Sequence, residues 1–226
     1  RKRNMSKELF AQEFGAEFSV FEGKVWDFHR DLDVGEFPYD PNLPTYCTID
    51  FGYRMPAVIF CQTYWENEVE HIRIFDCILH KKDIKTEDLI KRIKTKGYPV
   101  MSFYGDPAGA NVQGQSGAGD MEIFRRSGIK VISTRDRMSR NIVASVAYTR
   151  GFFESASGIR RIHVDSRCKD VIEDFEEYRY PESEDGKAIK EEPLKDGYHD
   201  HGNDAFRYFI INRFPMKNTE MKRIQR

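Results

Sequence analysis

Two apolar, β-rich stretches of this chain each close on an aspartate. Thr45-Tyr46-Cys47-Thr48-Ile49 runs into Asp50, and Val100-Met101-Ser102-Phe103-Tyr104-Gly105 runs into Asp106. Open α/β sheets hold their ligands in the crevice outside the carboxyl ends of the strands, so both carboxylates are expected to point into one crevice. A third acidic cluster lies far downstream, in His199-Asp200-His201-Gly202-Asn203-Asp204-Ala205-Phe206-Arg207-Tyr208. A late helix that carried it to the same crevice would complete an oxygen-rich cage suited to Mg²⁺ or Mn²⁺. Two such ions side by side are the apparatus for in-line displacement at a phosphodiester, and a metal-dependent nuclease is the first reading.

The rest of the pattern agrees with an α/β sheet. Stretches 45 to 51, 57 to 65 and 70 to 79 are rich in aromatic and β-branched residues and are parted by Gly52-Tyr53-Arg54-Met55-Pro56 and Glu66-Asn67-Glu68, which predicts an antiparallel meander. Thr86-Glu87-Asp88-Leu89-Ile90-Lys91-Arg92-Ile93 has helical periodicity and stops at Gly97, with Pro99 beyond it. Strand 99 to 105, a helix from about 120 to 127, strand 129 to 133, a long helix over 138 to 153, strand 161 to 164 and a helix over 167 to 178 continue an alternation that implies βα units. Residues 181 to 187 read as a hairpin tip and 199 to 213 as a final helix. The expected fold is therefore a mixed sheet, antiparallel meander first and βα units afterwards, flanked by helices. Before it, residues 6 to 36 read as a short helix and an irregular segment in which Phe10, Phe14, Phe18 and Phe21 pack on a neighbour. Pro38, Pro41 and Pro44 mark a boundary there, dividing an extension, 1 to 37, from a core domain, 38 to 226.

Each candidate residue has a bland alternative. Strand alternation puts Tyr46, Thr48 and Asp50 on one side and Cys47, Ile49 and Phe51 on the other. A lone Asp at such a place is a turn or cap residue. Here Asp106 repeats the arrangement, and Pro107 ends its ladder. His201 and Asp204 share a helix face, and Asp200 falls four before Asp204. Asp200 is either a ligand or the helix N-cap. His201 is a metal ligand, a partner of one, or a surface residue, while Phe206, Phe209 and Ile210 anchor the helix. The run 107 to 119 is glycine-rich but lacks the Gly-Lys-Ser/Thr ending of a nucleotide loop, which leaves a flap over the substrate or a plain solvent loop. Arg125, Arg126, Lys130, Arg135, Arg137 and Arg140 crowd together, as a solvated helix face or as a track for backbone phosphates. Lys195, shortly before the third carboxylate, either stabilises charge developing on a phosphorane or lies in solvent.

Composition sets the outer limits. With 226 residues and 39% apolar content the chain can build a real core, and 36 Lys and Arg against 37 Asp and Glu leave no bulk charge that would announce a nucleic-acid partner. Cys47, Cys61, Cys77 and Cys168 have neither zinc-site nor disulfide-framework spacing and are expected to be buried, reduced thiols. No apolar run approaches the roughly 18 residues of a membrane span, so a soluble, intracellular protein is expected. A start at Arg1 suggests a processed chain or part of a longer one.

The ordered set Asp50-Phe51-Gly52, Tyr104-Gly105-Asp106-Pro107 and the 199 to 208 segment resembles the C-terminal nuclease domain of the large terminase subunit of tailed bacteriophages. Phe10-Ala11-Gln12-Glu13-Phe14-Gly15-Ala16-Glu17-Phe18 is similar to the stretch joining that domain to its ATPase, and 168 to 178 with Tyr180 is similar too. The resemblance implies a ribonuclease H-like fold and two divalent metals, Mg²⁺ or Mn²⁺. It also implies cutting of concatemers of double-stranded viral DNA at the start and end of packaging, in the cytoplasm of an infected bacterium. Carried over residue by residue, Asp50 bridges the metals, Asp106 and Asp204 complete the set, and His201 or Asp200 sits beside them. Implied partners are double-stranded DNA, an ATPase domain, a small terminase subunit and a portal ring. Without the ATPase half this chain is expected to cut DNA but not to translocate it. Rivals are another ribonuclease H-like nuclease, of junction resolvase or transposase type, and a non-catalytic DNA-holding module.

Overall fold

The structure, a computed structural model, describes residues 23 to 51, 55 to 106, 119 to 134, 136 to 181 and 192 to 216. The aromatic segment up to Phe21, Gly52, the glycine-rich run up to residue 118, Arg135 and most of the predicted hairpin tip lie outside those residues.

Strands β1 (Val34–Gly35), β2 (Thr45–Asp50), β3 (Ala57–Glu66), β4 (Val69–Ile78), β5 (Val100–Gly105), β6 (Val131–Ile132) and β7 (Ile162–Asp165) form one sheet in the order β1-β7-β4-β3-β2-β5-β6. The expected meander is β2-β3-β4, with Asp50 opposite Ala57 and Val58 opposite Ile78. Its second turn is a two-residue hairpin in which Asn67 and Glu68 both take positive φ, 48° and 64°, a turn whose twist matches that of the strands it joins. β5 then pairs parallel to β2, β6 to β5, and β7 to β4, so that among the described strands only β3 runs against the others. The carboxyl ends of β2, β4, β5, β6 and β7 therefore share one edge of the sheet.

The period-two alternation of β2 sorts the core into two layers. Cys47, Ile49 and Phe51 meet helices α2 (Thr86–Thr95) and α3 (Asp120–Arg126) through Leu89, Ile90, Ile93 and Phe124. Tyr46 on the other face meets α5 (Ile142–Phe153), α6 (Lys169–Glu177) and α7 (Asp200–Arg213) through Phe153, Phe175, Phe206 and Phe209. Helix on each side of a sheet is what strands buried on both faces require. All four cysteines are free thiols, three buried and Cys77 half-buried.

Two elements differ from the sequence expectation. The predicted long helix is two, α4 (Arg137–Arg140) and α5, because Asn141 leaves helical geometry at ψ 125° and its side chain accepts the Ala144 amide at 2.9 Å. An asparagine that satisfies a free amide in this way starts a helix rather than continuing one. Upstream, a single turn, α1 (Arg30–Asp33), leads into β1, which adds to the sheet edge beside β7. Arg160 fixes it by gripping Asp33 at 2.7 Å, and Val25, Trp26 and Phe28 are buried in the core.

Candidate metal centre

Helix α7 runs antiparallel to β2 across the sheet. Phe209 packs on Tyr46 at 5.7 Å between ring centroids, and the Thr48 hydroxyl donates to the Ala205 carbonyl at 2.6 Å. This pairing sets the opposite end of α7, with Asp200, His201 and Asp204, beside the carboxyl ends of β2 and β5. A hydroxyl from the middle of a strand thus fixes the register of the helix against Asp50.

Asp50 ends β2 almost fully buried, and His201 Nδ1 lies 2.9 Å from its Oδ2. Burial raises the Asp50 carboxyl above its ordinary range, and the negative charges of Asp204 and Asp106 push it the same way against the His201 bond. The same hydrogen bond raises His201, with Asp50, Asp200 and Asp204 adding to it. These influences show that the four carboxylates and the imidazole, drawn from three distant stretches of sequence, share one electrostatic neighbourhood. Asp106, half-buried just past β5, belongs to it through its effect on Asp50 and on Tyr208, whose phenol is raised first by burial and then by the three aspartates.

Asp204 is buried yet its carboxyl is held below the ordinary value, because Arg207 and Lys195 outweigh the burial. Arg207 Nη2 and Nε reach Asp204 Oδ1 at 2.9 and 3.3 Å, and Arg207 Nη1 donates to Ser145 Oγ at 3.0 Å. Lys195 donates to Asp204 Oδ2 and stands 3.7 Å from Asp200 Oδ2. Lys195 is exposed to solvent, and its ammonium also rests on these carboxylates. Asp200 is the first residue of α7 and not its N-cap, since its Oδ1 accepts from the Gly197 amide at 2.7 Å. Asp196 shapes the turn before the helix, accepting from the Tyr198 and His199 amides at 2.8 Å each, which helps hold its carboxyl at about 2 against the effect of burial.

Among the described residues no three His, Cys, Asp or Glu side chains are already drawn around an ion-sized point. The carboxylates are turned instead on Lys195, Arg207 and His201. The donor set nevertheless fits a hard divalent cation: its atoms are carboxylate oxygens, and added positive charge would offset the burial and the neighbouring negative charges that raise Asp50.

The basic candidates divide by position. Arg125 and Arg126, at the end of α3, are exposed and both bond Glu122, and Lys130 is exposed just before β6. Because α3 returns from the carboxylate edge to the start of a parallel strand, these three lie at the far end of the sheet. Arg137 and Arg140, in α4 after β6, are exposed at the same end as Asp50 and Asp106. Sequence reasoning assigned no role to Arg207, Ser145, Asp174, His80 or Asn203. The spacing of Arg207, one helical turn after Asp204, was the one available signal.

No family model matches this chain. The large terminase subunit of Escherichia phage T5 is 25% identical to it over 220 residues, 93% of this chain and 47% of that protein. The chain thus spans about half the length of the curated relative it matches. Among solved structures, the large terminase of a thermophilic bacteriophage aligns with a TM-score of 0.63 at 18% identity, covering 92% of this chain and 50% of that one. The P22 large terminase nuclease domain aligns with a TM-score of 0.63 at 16% identity, over 92% of this chain and 100% of that one. The SPP1 large terminase nuclease domain, solved with bound Mn, aligns at 0.56 and 13%, over 80% and 96%. The resemblance read from the aspartate segments is borne out, and the mixed sheet with flanking helices is the ribonuclease H-like architecture of terminase nuclease domains.

Proposed function

We propose that this chain is a metal-dependent endonuclease that cuts concatemeric double-stranded viral DNA during genome packaging. The observation that carries the reading is the meeting of Asp50, Asp106 and Asp204 at one edge of the sheet, together with the likeness to large terminase subunits. Asp50, Asp106 and Asp204, with Asp200 or His201 beside them, are the residues that would hold Mg²⁺ or Mn²⁺, two ions in all. Such ions supply an activated water and a Lewis acid at the leaving 3′ oxygen.

The protein's own groups have separate tasks. His201 orients the Asp50 carboxylate through the 2.9 Å bond, as hydrogen-bonded partners of metal ligands do. Arg207, itself fixed by Ser145, holds Asp204 in one rotamer. Lys195, whose ammonium rests on Asp204, places a positive charge beside the carboxylates that would stabilise charge building on the phosphate. Arg137 and Arg140 are placed to hold backbone phosphates beside the site, and contacts of that kind carry little sequence information.

Within the proposal the extension, 1 to 37, leads to an ATPase domain and 38 to 226 is the nuclease domain, with Val25, Trp26, Phe28 and β1 of the extension built into its core and sheet. A small terminase subunit and a portal ring are the further partners, in the cytoplasm of an infected bacterium. No helix among the described residues is long and apolar enough to cross a membrane.

The test is nicking of supercoiled plasmid in Mn²⁺. Asp106→Asn is expected to abolish it with an unchanged melting temperature, and cutting that persists in EDTA would overturn the reading. Preference for four-way junctions over linear duplex would redirect it to a resolvase.

A further inference from the structure

Asn203 sits on α7 between His201 and Asp204 but faces the opposite way, fully buried against α6. Its side chain Nδ2 donates to the Asp174 carbonyl at 2.7 Å and to the His199 carbonyl at 2.8 Å. Its Oδ1 accepts from Trp26 Nε1 at 2.5 Å, across 177 residues of sequence. The indole nitrogen can only donate, so the carboxamide has one workable orientation here.

Trp26 is as firmly held as the asparagine it supports. It is 2% exposed, stacks on Phe153 with ring centroids 5.0 Å apart and planes at 10°, and tilts on Tyr178 at 5.5 Å. The backbone around it is laid along the chain that leaves α6: the Val25 amide donates to the Tyr178 carbonyl at 2.9 Å, and the Tyr180 amide to the Gly23 carbonyl at 2.7 Å. Residues 23 to 26 thus form a strap that reaches the first turn of α7 through one hydrogen bond. That turn carries Asp200, His201 and Asp204, and because a helix turn moves as a rigid unit, whatever fixes Asn203 also fixes the bearing of Asp204.

We propose that Asn203 is a positioning residue for Asp204 and that Trp26 is its support, so that the seating of residues 23 to 28 sets how tightly the site holds a divalent cation. This rests on the reading of Asp50, Asp106 and Asp204 as metal-holding groups. It makes the segment that enters the domain a regulator of the site rather than a passive connection.

Trp26 and Trp65 are the two tryptophans of the chain, and Trp65 is exposed in the β3–β4 hairpin. A Trp65→Phe background therefore leaves Trp26 as the reporter. In the full chain, Mg²⁺ and Ca²⁺ titrations followed by calorimetry and by tryptophan emission are the experiment. Emission from Trp26 is expected to change with the same midpoint as the heat. Trp26→Phe keeps an aromatic ring against Phe153 but loses the indole N–H together with part of the ring's buried volume; read by calorimetry, it is expected to weaken Mg²⁺ binding roughly threefold to tenfold, a fraction of what losing a ligand's direct partner costs. Phe28→Leu is the control, because Phe28 packs on Phe153 and Phe175 from the same segment and makes no polar contact with α7. It is expected to lower the melting temperature with an unchanged Kd.

An unchanged Kd in Trp26→Phe overturns the inference while leaving the metal reading standing, provided Asp204→Ala abolishes binding. An equal loss of affinity in Phe28→Leu also overturns it, since the effect would then be general loosening. Absence of Mg²⁺ and Ca²⁺ binding in the parent chain sinks both.

Discussion

Arg207 grips Asp204 from one helical turn away, its Nη2 2.9 Å from Oδ1 and both side chains nearly excluded from water. Removing one partner of such a pair leaves a buried charge uncompensated. Arg207→Ala is expected to cost about 3–5 kcal/mol in urea unfolding at pH 7. The pH dependence has a definite sign. The folded carboxyl of Asp204 lies below the unfolded value of 3.8, so its contribution is present above 3.8 and lost as pH falls through the folded pKa. The gap between wild type and Arg207→Ala should therefore narrow on acidification below that value. A gap that widens there would contradict the assignment.

Lys195 competes for the same carboxylate from the other side. Its ammonium rests on Asp204 Oδ2 and its side chain is 47% exposed, so the interaction is screened by solvent. Lys195→Ala is expected to tighten Mg²⁺ binding by roughly twofold to fivefold, a small effect suited to an exposed pair, and to slow plasmid nicking. Calorimetry separates the two effects, and weaker binding in the variant would show that the lysine assists the ion instead of displacing it.

Divalent ions should also stabilise the fold. A ligand that binds only the folded state at about one hundred times its Kd adds about 2.7 kcal/mol. Mg²⁺ or Mn²⁺ is expected to raise the melting temperature of the wild type and not that of Asp50→Ala. Equal shifts in both would place the binding elsewhere on the molecule.

What the sequence disclosed and what it hid follow from the range of the interactions. The alternation of Tyr46, Thr48 and Asp50 against Cys47, Ile49 and Phe51 is a local property of a strand, and it correctly separated the two core layers. The shared face of His201 and Asp204 is likewise helix geometry. Trp26 on Asn203, Ser145 on Arg207 and His80 on Asp174 are contacts between side chains 177, 62 and 94 residues apart, and no periodicity encodes them. The break at Asn141 was missed because an asparagine inside an apolar helical pattern is visible as a cap only when its side chain is seen to turn onto the Ala144 amide. The basic run around Arg125 was dense in sequence but split in space, because β6 lies between Arg125, Arg126 and Lys130 on one side and Arg137 and Arg140 on the other, and carries the chain from one end of the sheet to the opposite end.

Gly202 is the contact that lets α6 approach α7. A Cβ on Gly202 would run into the Asp174 carboxylate, so the residue between His201 and Asn203 has to be glycine while Asp174 stands where it does. Asp174 is fully buried; its Oδ1 bonds His80 Nε2 at 2.8 Å, and its Oδ2 has no hydrogen-bond partner. Gly202→Ala is expected to destabilise by about 1–3 kcal/mol, as overpacking does. Asp174→Ala removes the obstacle, so the double variant should lose less stability than the sum of the single changes. Burial raises the Asp174 carboxyl to about 6 in spite of His80, above the 3.8 of an unfolded chain. As pH climbs through that window the unfolded chain gives up its proton first, so this group withdraws stability between 3.8 and about 6. Urea unfolding across that range should show wild type losing ground to Asp174→Ala as pH rises, and a constant difference would mean that the carboxyl titrates normally in the fold.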